Sequence, residues 1–206
     1  MKYLDFYNKL DSMKNKEYIE NFLVYNTSLV IAGVKPAVTI TIKKNNKKIY
    51  DNWNQFGKDF IDNIKLKSIE LRESDDSIIL MIYDEEILKK EVLSKDNMKF
   101  LINLGYSSEA KIEGYINTLK SRYEKYHCPH ELGLFLGIPF EDVKDFMECT
   151  TKKCLLCGYW KVYNNSGQAK IIFNQYNKVK EYTMKSMLKG NLSQDLVFNI
   201  KKSFSA

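Results

Sequence analysis

Ser68-Ile69-Glu70-Leu71-Arg72-Glu73, Ser74-Asp75-Asp76 and Ser77-Ile78-Ile79-Leu80-Met81-Ile82-Tyr83 follow one another without interruption, and this stretch decides the fold class. Two runs rich in β-branched and apolar residues flank three short polar residues that favour a tight reversal, the pattern of an antiparallel hairpin. Upstream, Ala37-Val38-Thr39-Ile40-Thr41-Ile42 alternates with period two and reads as a further strand. Downstream, Gly158-Tyr159-Trp160-Lys161-Val162-Tyr163 reads as a fourth, ahead of the turn Asn164-Asn165-Ser166-Gly167. The expectation is an α+β fold: a small, mostly antiparallel sheet packed with several helices. An α/β order with a partly parallel sheet is the alternative.

The remaining segments carry helical periods. Phe6, Leu10, Met13, Ile19, Phe22 and Leu23 mark one or two amphipathic helices over residues 4–24. Ile49, Trp53, Phe56, Phe60 and Ile64 recur every three or four residues on one face. Asp84 is placed to cap a short helix through Val92, and Ser94 the next, which stops at Gly105. A stripe from Ile112 to Tyr126 belongs to a helix starting near Ser108, Phe140–Met147 to a short one, and two more start near Gln168 and after Ser193. With no repeat or Pro/Gly/Ser linker, residues 1–206 read as a single domain, mixed in its N-terminal half and mainly helical in its C-terminal half.

Composition narrows the function classes. Of 206 residues 44% are hydrophobic and 28% charged, enough apolar mass for a buried core. The longest apolar-plus-glycine run, Leu132 to Phe140, falls far short of the roughly 20 residues of a membrane-spanning helix. The first residues lack the apolar centre of a secretory signal, so the expected location is the cytoplasm, where the four cysteines stay reduced. Net charge is +6, yet among 32 basic residues only Arg72 and Arg122 are arginine. Lysines that alternate with acids on helix faces read as solvated surface rather than a nucleic-acid footprint, so neither nucleic acid nor membrane is an expected partner.

The densest motif content lies between residues 127 and 163. Pro129-His130-Glu131-Leu132-Gly133-Leu134-Phe135-Leu136-Gly137-Ile138-Pro139, then Glu141-Asp142-Val143-Lys144, and later Gly158-Tyr159-Trp160-Lys161-Val162-Tyr163 resemble the hallmark blocks of the bacterial family called domain of unknown function 3793. Ala32-Gly33-Val34-Lys35 resembles that family's early block and Leu104-Gly105-Tyr106 its central one, so the resemblance covers nearly the whole chain. It implies no established activity, only a weak contextual link to flavodoxin or iron-uptake genes. Where members carry cysteines this chain has Thr27, Tyr159 and Val179, so no role rests on a fixed cysteine set.

Three constellations carry chemistry. Cys128 and His130 with Cys154 and Cys157 offer four soft ligands for tetrahedral zinc, but the one-residue gap of the first pair is unusual, and separate thiols are the preferred reading; no cofactor is expected. Cys128 between His127 and His130 has the neighbours of an activated nucleophile, but in the family it resembles the matching position is commonly not cysteine. His130 and Glu131 start a helix and, with Lys161, form the candidate catalytic surface; the plainer reading is a capping arrangement in which Glu131 meets the helix dipole. Leu132–Met147 also mimics a helix-turn-helix. Its second helix carries Glu141, Asp142, Asp145 and Glu148 against Lys144, which would repel a polyanion, so a packed helical hairpin is expected. Gly137, Pro139 and Trp160 read as architectural, with Trp160 and Val162 facing inward and Lys161 outward. The functional expectation is a binding or adaptor protein with a protein partner, a redox- or iron-related one being the candidate the resemblance suggests; an enzyme using the His130/Glu131 surface is the alternative.

Overall fold

Ser77–Tyr83 is apolar at six of its seven positions because it is the central strand of a sheet and has neighbours on both edges. In the computed structural model, which describes residues 2–148 and 151–204, the chain forms two compact units. The first comprises residues up to Asp84 together with those from Tyr176 onward; the second is Glu85–Gln175.

In the first unit, helices α1 (Lys2–Ser12) and α2 (Asn15–Ile31) precede strand β1 (Ala37–Lys43). Helix α3 (Lys47–Asn52) runs through a π-helical turn (Trp53–Gly57) into α4 (Lys58–Asn63), followed by β2 (Lys67–Glu73) and β3 (Ser77–Tyr83). The sheet order is β1-β3-β2 and both pairings are antiparallel, with Ile40 opposite Leu80 and Ile69 opposite Met81. An irregularity between Glu70 and Arg72 leaves Leu71 out of the ladder and fully buried. At the reversal, the Ser74 hydroxyl donates to the Asp76 carboxylate at 2.6 Å and the Ser74 amide to the Ser77 carbonyl at 2.9 Å. This is the side-chain turn chemistry that the sequence announces.

The second unit contains α5 (Glu85–Val92), α6 (Lys95–Asn103), α7 (Ile112–Tyr126), α8 (Leu132–Phe135) and α9 (Phe140–Met147). A two-stranded antiparallel hairpin, β4 (Leu156–Cys157) and β5 (Lys161–Val162), then leads into α10 (Ser166–Leu188), whose residues from Tyr176 belong to the first unit along with α11 (Ser193–Phe204). The fold class is therefore α+β.

Several local expectations change. Residues 158–163 are not one strand and do not join the three-stranded sheet: Gly158 to Trp160 make the turn of the β4–β5 hairpin, the Gly158 amide donating to the Trp160 carbonyl at 3.1 Å. Helix α7 starts at Ile112 rather than near Ser108, because the Ser107 hydroxyl accepts from the Glu109 amide at 3.3 Å and holds that segment in a local turn. Ser94 occupies the N-cap of α6 without a capping hydrogen bond from its side chain. Gly137 has φ +71° and closes α8 as expected, whereas Pro139 is the N-cap of α9 with φ −52° rather than a residue of its first turn.

Candidate functional site

The second unit is organised by two buried carboxylates. Glu131, 1% exposed, receives the Arg122 Nε–H from α7 and the Tyr106 hydroxyl at 3.3 Å. Arg122 also donates through Nη1 to the Leu104 carbonyl at 3.1 Å, so one fork ties the Leu104-Gly105-Tyr106 turn to the start of α8. Gly105 has φ +98°, the conformation this turn needs. Burial raises the Tyr106 phenol far above its ordinary pKa, reinforced by the Glu131 charge, so Tyr106 is a fixed hydrogen-bond donor. Burial is the largest influence on Arg122 and would lower it, but the hydrogen bond and charge of Glu131, with smaller contributions from Tyr106 and Tyr126, together make the net shift upward.

Asp142, 4% exposed on α9, is the second lock. One oxygen accepts the Trp160 indole N–H at 2.8 Å; the other accepts the Tyr163 amide at 2.9 Å and the Asn164 amide and side chain at 3.1 and 3.0 Å. A single carboxylate thus fixes both the turn and the exit of the β4–β5 hairpin. Asp145, one turn further along α9, accepts Lys152 Nζ at 2.7 Å and Asn164 Nδ2 at 2.9 Å. The hydrogen bond from Lys152, followed by that from Asn164, lowers the Asp145 pKa. Asp142 and Asp145 therefore face the hairpin, and α8 with α9 forms the packed helical pair expected in place of a DNA-reading motif.

Glycines let these pieces approach. A Cβ on Gly133 would lie 2.8 Å from Val143 Cγ2, and one on Gly158 would collide with the Phe173 ring. Trp160 is 8% exposed and packs edge-on against Phe173, centroids 4.5 Å apart, while Val162 is buried and Lys161 exposed. The inward and outward assignments of the sequence hold although the segment is a hairpin.

Between the helical pair and the hairpin lies a cavity of about 360 Å³. Its floor is Leu132, Leu136, Ile138 and Val143, and Phe146, Tyr159 and Trp160 form an aromatic wall. Cys128, His130 and Lys161 supply the groups at its edge. The His130 ring meets the Phe146 ring edge-on, centroids 5.0 Å apart, and Lys161 Nζ lies 5.6 Å from the Phe146 centroid. Next to the cavity, His127 ends α7 with φ +62° and ψ −41°, and the Cys128 amide donates to the Tyr126 carbonyl at 2.7 Å. This tight three-residue turn is strained for a non-glycine residue, and it sets where Cys128 and His130 emerge.

The structure thus brings His130 and Lys161 to one cavity and places Glu131 elsewhere, in the ion pair with Arg122. His130 is exposed and makes an aromatic contact rather than a cap, and Glu131, at the N-cap of α8, makes no capping hydrogen bond from its side chain. Glu131 does stand at the start of the helix, but its carboxylate is directed to the guanidinium of Arg122 rather than to the free amides of α8. Of the four thiol and imidazole ligands weighed for zinc, Cys128 and His130 line the cavity, whereas Cys154 and Cys157 are exposed in and before β4; Cys154 Sγ donates to the Leu156 carbonyl at 3.3 Å. Among the described residues no group of three or more His, Cys, Asp or Glu is placed to hold a metal ion. Leu136, Ile138 and Phe146 were not legible as site residues, because their sequence signal is that of any core-facing apolar residue.

The family model described as "Protein of unknown function (DUF3793)" matches residues 23–197. No curated protein and no solved structure matches the chain.

Proposed function

The chain belongs to the family of proteins of unknown function DUF3793, and from the cavity of its second unit we propose that it is a binding protein for a small apolar ligand rather than a catalyst. The observation that carries this reading is how the polar groups are used. The buried carboxylates beside the motif residues are spent on structure, Glu131 on Arg122 and Tyr106, Asp142 on four hydrogen bonds and Asp145 on Lys152 and Asn164. A general acid or base needs a titratable partner or substrate proton in reach. Among the described residues no hydrogen bond joins His130 or Lys161 to a second titratable side chain. What faces the cavity is predominantly apolar, and its volume lies at the lower end of the roughly 300–1,000 Å³ of small-molecule sites. A cytoplasmic setting suits Cys128, Cys154 and Cys157, which among the described residues are exposed free thiols that glutathione would keep reduced.

Calorimetric titration with linear alcohols tests the reading. Binding should be saturable, with affinity rising about fourfold per added methylene from butanol to octanol, the increment expected for burial of one CH₂. Ile138→Trp, which puts an indole into the cavity from its half-buried edge, should abolish octanol binding while the protein still melts cooperatively. Unsaturable binding, or a folded Ile138→Trp protein that binds like the wild type, would refute it.

A further inference from the structure

The charges around the cavity are arranged with a direction, and that direction selects a ligand class. The one carboxylate among the lining residues, Asp142, is buried, and its charge is already met by four hydrogen bonds from protein donors that hold the hairpin, so it serves the fold rather than a ligand cation. The one side-chain ammonium among them, Lys161, is exposed, lies over the Phe146 ring and has no carboxylate partner among the described residues. His130 meets the same ring, so the two nitrogen-bearing side chains flank one aromatic group at the cavity edge. Phe146, Tyr159 and Trp160 alone could suggest an aromatic cage for a quaternary ammonium. Lys161 argues against it, because its own charge already occupies a ring face and repels a second cation.

We propose that the cavity takes an apolar ligand with a single carboxylate, a medium-chain or aromatic monocarboxylic acid, its apolar body against Leu132, Ile138 and Val143 and its head group on Lys161. This rests on the reading of the cavity as a binding site, and the test separates the two claims. The head stays near water, where an ammonium–carboxylate contact costs little desolvation, and the tail supplies most of the affinity.

Three probes of equal chain length decide it: octanoate, octanol and octyltrimethylammonium, titrated calorimetrically at low salt into the wild-type protein and Lys161→Met. Octanoate should bind the wild type about fivefold more tightly than octanol, with the preference shrinking as salt is raised. Octyltrimethylammonium should bind more weakly than octanol. Lys161→Met, which retains an apolar stem, should bring the octanoate-to-octanol ratio close to one. Equal binding of the three probes, a preference for the cation, or an unchanged ratio in Lys161→Met would overturn the carboxylate assignment and leave the apolar site standing. Absence of binding by all three would overturn both.

Discussion

Asp142→Ala is expected to lower the stability of the protein by about 4 kcal/mol, since it removes the acceptor of one buried and three part-buried donors at once and each unsatisfied one costs about 1–3 kcal/mol. The Trp160 indole N–H and the Tyr163 and Asn164 amides lose their acceptor together, and Asn164 Nδ2 is left with Asp145 alone as acceptor. For a chain of this size each kcal/mol moves the melting temperature by about 2–4 °C, so a loss of roughly 8–16 °C should appear in thermal denaturation. Asp142→Asn should be intermediate: the amide oxygen still accepts the two main-chain amides, but its NH₂ group now opposes the indole N–H. A melting temperature for Asp142→Ala within about 2 °C of the wild type would mean that the hairpin is held by packing alone.

Trp160→Ala is expected to cost about 3–5 kcal/mol, the usual range for deleting a buried aromatic ring. The ring fills the space against Phe173 and donates to Asp142, so its removal leaves a void and an undersaturated buried carboxylate together. Because that cost is comparable with the stability of an ordinary domain, roughly 5–15 kcal/mol, the variant should be poorly soluble or lack a sharp near-ultraviolet signal. Lys161→Ala alters an exposed neighbour and should unfold like the wild type. A soluble, cooperatively melting Trp160→Ala protein would place the ring among replaceable surface contacts. The two substitutions share one hydrogen bond, so their costs should not add: the double variant should be less destabilised than the sum.

The sequence carries the sheet well because its information there is local. Ser74-Asp75-Asp76 closes the hairpin between β2 and β3, and the β-branched alternation of residues 37–42 marks β1. Residues 158–163 misled for the same reason: Trp160 and Val162 are buried and Lys161 lies outward between them, as a strand would have them, although Gly158 to Trp160 are a turn. No local pattern distinguishes a two-residue strand with a tight turn from one edge strand. The carboxylate locks are out of local reach. Asp142 finds Trp160, Tyr163 and Asn164 some 18–22 positions along the chain, and in sequence it is simply one acid among three on α9. Glu131 stood out beside His130, but its partners Arg122 and Tyr106 come from α7 and the turn before it. The cavity is legible in part through Cys128, His130, Trp160 and Lys161, whose residue types stand out against an apolar floor that looks like ordinary core.

The most direct measurement of the central claim is the ¹H–¹⁵N spectrum of the two tryptophan indoles during titration with octanol. Trp160 lines the cavity, whereas Trp53 is buried in the π-helical turn of the first unit and serves as an internal control. The account predicts that the Trp160 indole resonance moves saturably while that of Trp53 stays where it is. A stationary Trp160 resonance, or equal movement of both indoles without saturation, would contradict it.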